Sequence, residues 1–336
     1  MLAVNRLKQL TSILQGLVTV AYGFVPTPGR AEETAATYPS RNVTLVYAYS
    51  AGGPGDVGAR LLAPYLSTAL GKQVIVENRA GASGTIGARS VARAIPDGLT
   101  LMLTDISLTI TFNLVSDAGY DPRTDFAPIA PVLRSFMMLV VHPDVRAKSV
   151  KEIVALAKAK PGELKFGTSG VGSPPHLGAL AFMQATGVEM LHVPYRGVSQ
   201  ALNDVMAGHL SLVFSSEGSS GPMVAAGNLR ALGVFGEKRV AANPSVLTFK
   251  EQGLDTRVAD QGTWFGIVTT KGTPPDIIKK LNVAVNGALK DSTTKAALEK
   301  SGFDITGGTP EDLKAMIDGN VIYWNDALKK ARVKRE

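Results

Sequence analysis

Two short stretches of this chain hold residue types that can grip an anion without a cationic side chain. The first, Ala51-Gly52-Gly53-Pro54-Gly55-Asp56, follows a β-branched run and precedes an apolar run with helical spacing. The second, Thr168-Ser169-Gly170-Val171-Gly172-Ser173, repeats that setting in the second half of the chain. A strand, a glycine-rich turn and a helix start leave backbone N–H groups unpaired at the helix N-terminus, where the macrodipole adds about half a positive charge. Open α/β sheets bind ligands at the carboxyl ends of their strands, where such turns sit. One turn on each of two lobes, facing across a cleft, can make a clamp for an anionic group.

Within and around the turns, single residues carry competing roles. Asp56 is expected to cap a helix starting at Val57, a contribution of about 1 kcal/mol, rather than to touch an anion. Thr168 and Ser169 either satisfy their own turn or meet the ligand, and their place on the loop favours the ligand. Asp105 follows a strand ending near Thr104 and either receives an ammonium group or serves as a cap or an outward turn acid. Arg60 is expected to anchor an acid within its own lobe. Of the four histidines, His142, His176, His192 and His209, none has metal-site spacing. Only His176, in the first turn of the second cleft helix, is placed for the pocket. No metal and no cofactor are expected.

Other chemistries fail on their motifs. Gly167-Thr168-Ser169-Gly170-Val171 breaks the nucleophile-elbow pattern at its last position. Gly71-Lys72 is followed by Gln73, which removes a phosphate-binding loop, and the glycines from Gly81 to Gly87 lack a dinucleotide fingerprint. An enzyme is therefore not expected, and turnover by the purified protein is what would reveal one.

The elements that must position these turns alternate along the chain. Strand-like runs fall at 43–49, 73–77, 99–104, 136–141, 164–167, 190–193, 210–215, 229–235 and 264–269. A helix spans 57–70 and is closed by Gly71, with Pro64 inside it, where a kink or a cost of up to about 3 kcal/mol is expected. Ser149 to Glu152 form a capping box, and Ser173-Pro174-Pro175, Thr273-Pro274 and Thr309-Pro310 each pair a cap with a helix-opening proline. Ile277, Leu281 and Val285 line one face of a helix; Leu313, Ile317 and Trp324 line another. The pattern predicts an α/β architecture with largely parallel sheets.

At 336 residues the chain has room for two lobes, each with its own core. Residues 1–31 read as an export signal: Arg6 and Lys8, then a mostly apolar run at 10–25, then small residues beside Arg30. The run is too short and too diluted to span a bilayer. There is no cysteine, which excludes disulfides, thiolate metal sites and a Cys-linked lipid anchor. Removing 1–31, with its three cations and no acid, lowers the formal charge from +7 to +4. That mild excess lacks the aromatic-laced basic stripe of a nucleic-acid binder, and Lys329, Lys330, Arg332, Lys334 and Arg335 suit a helix C-terminus.

Several stretches together resemble receptors of the Bug family, the solute-binding partners of tripartite tricarboxylate transporters. They are AGGPGDVGARLLA (51–63), VIVENRAGASGTIGA (74–88), AIPDGLTLML (94–103), YDPRTDFAPIAPV (120–132), KFGTSGVGSPPHL (165–177), HVPYRG (192–197), WFGIVTTKGTP (264–274) and GGTPEDL (307–313). The motifs are collinear from about residue 40 to the end. The resemblance implies a type II periplasmic-binding-protein fold, two α/β lobes joined by two crossovers near 133–142 and 257–266, with a ligand cleft between. Lobe 1 would comprise 40–135 and 265–336, and lobe 2 would comprise 136–264. It implies a periplasmic receptor that delivers a small carboxylate to inner-membrane transporter subunits, with main-chain N–H groups and small hydroxyls of both turns holding the carboxylate. It brings Tyr195 to the cleft. The chain departs from the family pattern at Asp105, at Ser215 where Asp or Asn is common, and at Arg196. A receptor read by a signalling kinase would have the same fold and pocket. A monomer is the expected state for a molecule that opens and closes.

Overall fold

A computed structural model describes residues 33–34, 36–240, 243–256 and 262–330. The leader expected at 1–31, half of the second crossing expected at 257–266 and the side chains of the basic C-terminal run lie outside the described residues. No helix among the described residues is long and apolar enough to cross a membrane.

Two sheets organise the chain. In the six-stranded sheet the order is β11 (Phe303–Ile305), β4 (Phe126–Ser135), β10 (Thr263–Thr270), β3 (Thr100–Asp105), β1 (Val43–Tyr47) and β2 (Val74–Asn78). In the five-stranded sheet it is β7 (Leu191–Pro194), β6 (Lys165–Thr168), β8 (Leu212–Ser216), β5 (Met137–Val141) and β9 (Arg230–Val234). Each sheet is mixed, which corrects the expectation of largely parallel sheets. β1 is parallel to β2 and β3, and β6 is parallel to β7 and β8, while β4, β10, β11, β5 and β9 all pair antiparallel. The reversed strands include those that carry the chain between sheets: β4 ends at Ser135 in one and β5 begins at Met137 in the other.

β4 was not foreseen because Pro128 and Pro131 sit inside it. It accommodates them with two register shifts against β10, while β11 pairs only with residues 133–135, beyond both prolines. Proline cannot donate to a ladder, and bulges and unpaired edges are where strands tolerate it.

The helices are α1 (Pro54–Leu70), α2 (Thr85–Ala92), α3 (Ser107–Leu114), α4 (Val150–Ala159), α5 (Pro174–Thr186), α6 (Val198–Met206), α7 (Glu217–Ala225), α8 (Pro275–Lys290), α9 (Ser292–Lys300) and α10 (Pro310–Lys330). Ser149 caps α4 as read, its hydroxyl accepting from the Glu152 N–H. Thr309 does the same for α10 towards Asp312, but α8 starts one residue later than read, at Pro275. α1 runs unbroken through Pro64. Pro64 and Arg60 are both exposed, so the turn that lacks the Pro64 N–H lies at the surface, where solvent can serve the Arg60 carbonyl. Ile277, Leu281, Val285, Leu313 and Ile317 are fully buried against the larger sheet. The smaller sheet has its own cores, around Phe166, Phe182 and Phe214 on one face and Leu202, Val205 and Val213 on the other.

Candidate functional site

The carboxyl ends of β1, β3, β6 and β8 converge on one cavity. Residues from both sheets wall it: Tyr47, Tyr49, Gly53, Asp105, Ser135 and Phe265 from the larger, Met137, Ser169, Val198, Ser215 and Ser216 from the smaller. Helices α1, α5 and α7 aim their N-termini at it through Pro54, Pro174 with Pro175, and Ser216. Among the described residues, no lysine, arginine or histidine lines it. Positive potential there comes from helix ends, and hydrogen bonds come from hydroxyls and main-chain N–H groups.

The two glycine turns divide their labour. In the first, Gly53 is the N-cap of α1 in extended conformation, with no side chain closing the cap. The helix starts three residues earlier than read, so Asp56 is not its cap. Its carboxylate instead reaches back to accept from the Gly52 N–H at 2.9 Å and binds Arg60 and Asn78. Burial raises its pKa, but the bonds from Arg60, Gly52 and Asn78 outweigh that and hold it below the usual range. Arg60 thus anchors an acid within its lobe, as expected. Asp56 holds the turn and does not line the cavity. Gly55 lies against the Tyr47 ring: a Cβ there would sit 2.1 Å from Cε2. Ala51 and Gly52 point their carbonyls at the other sheet's helices, accepting from Ser199 at 2.8 Å and Ser219 at 3.2 Å.

In the second turn only Ser169 reaches the cavity wall. Thr168 is fully buried, its hydroxyl accepting from the Gly170 N–H and bonded to His192 Nε2. Gly170, at φ +110°, comes so close to Ser83 of the larger lobe that a Cβ would stand 2.6 Å from its hydroxyl oxygen. Val171 packs with Ile110, Leu114 and Trp324. Gly170 and Val171 therefore belong to the contact between lobes, not to the lining. The two turns are not equivalent donors, because Pro174 and Pro175 deprive the first turn of α5 of two N–H groups.

His176 does not line the cavity either. Its Nδ1 accepts from the Gly172 N–H at 3.1 Å, and its ring stacks on His192 with centroids 4.4 Å apart. Burial, with a smaller effect from His192, lowers its pKa to about 4. Tyr195 turns away as well, donating its hydroxyl to Asp204 on α6. Ser215, 1% exposed, is on the wall.

Asp105 is 3% exposed and stands between the main cavity and a smaller space behind it, bordered by Ser83, Ser107 and Tyr120. Its Oδ1 accepts from the Ser107 N–H at 2.8 Å and from the Ser107 hydroxyl, at the start of α3. It is thus a cap, but an inward one. Burial raises its pKa despite those bonds. Burial also pushes the Tyr47 and Tyr49 hydroxyls well up, with the Asp105 charge adding to the shift. Tyr47 and Tyr49 were not singled out from sequence. The signal was there: two aromatic hydroxyls at i and i+2, at the end of the strand that feeds the first turn.

Comparison with known proteins agrees with this geometry. Residues 58–333 match the family described as the tripartite tricarboxylate transporter family receptor. BugT of Bordetella pertussis is 32% identical over 321 residues, covering 95% of this chain and 98% of its own. The solved structure of Rpa4515 from R. palustris with adipate superposes with a TM-score of 0.83 at 33% identity, over 88% of this chain and 98% of that one. MatC from Rhodopseudomonas palustris, with bound malate, gives 0.81 at 28% identity, over 86% and 99%. The chain belongs to the tripartite tricarboxylate transporter family of receptors, and its two lobes are those of a periplasmic binding protein.

Proposed function

We propose that this protein captures a small carboxylate-bearing molecule in the periplasm and hands it to the membrane subunits of a tripartite transporter. The observation that carries the reading is the cavity at the strand ends, walled from both sheets and, among the described residues, lined by no cationic side chain. Adipate and malate in the two R. palustris relatives support the ligand class. The carboxylate would lie at the N-terminus of α1, near Gly53 and the Gly55 N–H, with Ser169 and Ser215 facing it from the other side. Lobe 1, at 40–135 and 265–336, and lobe 2, at 136–264, would close over it about the two crossings. Ala51, Gly52, Gly170 and Val171 then act through closure and Asp56 and Thr168 through the turns they hold.

A thermal-shift panel of small carboxylates and their amides tests this. A ligand at 100 times its Kd raises stability by about 2.7 kcal/mol. Shifts by carboxylates and none by the amides are the expected result; shifts by amides alone would overturn it.

A further inference from the structure

We propose that the cleft selects carboxylates that also carry a cationic nitrogen, with the Asp105 carboxylate facing that nitrogen and the Tyr47 and Tyr49 rings beside it. The inference rests on the carboxylate-receptor reading and adds the second half of the ligand.

Among the described residues, Asp105 is the only carboxylic acid lining the main cavity, and no cationic side chain lines it to neutralise the charge. No ion pair involves Asp105 among the described residues, and both hydrogen bonds to its carboxylate fall on Oδ1. Oδ2 is left for another partner. The acid is almost wholly buried, a placement that costs free energy unless something pairs with it. The Tyr47 and Tyr49 rings, with centroids 5.6 Å apart, border the same space. A carboxylate flanked by aromatic rings is the combination that recognises ammonium and quaternary nitrogen, through charge and through the negative ring faces. A plain dicarboxylate meets the opposite: its second anionic end would lie against a buried acid with no compensating cation. Burial raises the Asp105 pKa and so disfavours its charged form; a bound cation would restore it. The helix N-termini that suit the ligand's carboxylate belong to α1 and α7, whereas the Asp105 carboxylate already occupies the start of α3. The two ends of the cavity therefore differ in sign.

The test is calorimetric titration of the purified protein with matched probes: succinate against 4-aminobutyrate, adipate against 6-aminohexanoate, and malate against aspartate. The aminocarboxylate of at least one pair should bind at least about tenfold tighter than its partner. Asp105→Asn keeps an acceptor for the Ser107 N–H and should erase or invert that preference. Tighter binding of the plain acid in every pair overturns the inference and leaves the receptor reading standing. A preference unchanged in Asp105→Asn also overturns it, because the nitrogen then lies elsewhere. If no probe binds, both readings fall. The wild-type pairs decide the matter alone should the variant not fold, which a melting curve reports.

Discussion

Replacing Gly170 with alanine separates closure from folding, because two penalties fall on different states. The first is conformational. Gly170 holds φ +110°, outside the range of L side chains, and imposing a Cβ there costs about 1–2 kcal/mol whether the lobes are open or closed. The second is steric and exists only when the lobes meet. The new Cβ would lie 2.6 Å from Ser83 Oγ and 3.5 Å from Ser83 Cα, across the cleft. Overpacking of this kind costs about 1–3 kcal/mol. A cost confined to the closed state weakens ligand binding by about 5–150-fold. The assay is a double-mutant cycle read by titration and by melting of the ligand-free protein. Ser83 holds φ +52°, so Ser83→Gly removes the obstructing hydroxyl at a position where glycine is at ease. Gly170→Ala should lower both melting temperature and affinity, and adding Ser83→Gly should restore affinity but not the melting temperature. Unchanged affinity in Gly170→Ala, or a loss that Ser83→Gly leaves untouched, would refute the claim that these turns meet around the ligand.

Gly55→Ala places a methyl 2.1 Å from the Tyr47 ring, so stability should fall by about 1–3 kcal/mol in denaturant melts and affinity should fall as the ring shifts into the cavity. Asp56→Ala removes a buried acceptor of the Gly52 N–H and the Asn78 amide, and about 2 kcal/mol should be lost in the same measurement. Because the folded pKa of Asp56 is depressed, its contribution is complete above the unfolded value near ~3.9 and lost as pH falls through the lower folded one; Asp56→Asn should flatten that acid limb. Glu217 behaves oppositely: burial raises its pKa, the Asn243 bond only partly offsets that, and its Oε2 is buried with no hydrogen bond. Its cost appears as pH rises from about 4.3 through the raised folded value, so Glu217→Gln should melt higher at pH 7, by about 1 kcal/mol, and a lower melting point would contradict this account.

Local signals predict local features well here. The helix-opening prolines, the Ser149 cap and the core faces of α8 and α10 were legible because each is set by neighbours a few residues away. Collinear motifs gave the family, and with it the two-lobed fold. Long-range features were not legible. β4 hides behind Pro128 and Pro131, whose tolerance depends on how far a short strand, β11, happens to pair. The glycine turns were found, but not which atoms of them face inward. That depends on where the opposite lobe meets each turn: Ser199 and Ser219 on the first, Ser83 on the second. Tyr195 and His176 looked cleft-bound, yet each turns to a partner, Asp204 or Gly172, that no spacing rule selects.

The passage from β4 to β5 has one further consequence. Only Phe136 separates the last residue of one sheet from the first of the other, and its ring lies close against Gly236 and Gly262 on the return path. A pivot of one residue cannot spread a rotation over a slack tether. If the lobes close as proposed, it would work as a gear, turning a small change of one backbone angle into a large travel at the cleft mouth. With both glycines against the same ring, the outgoing and returning strands would turn in step. Occupancy of a cavity a few side chains wide would thereby be rewritten as a displacement of whole outer surfaces, a signal large enough for another protein to read.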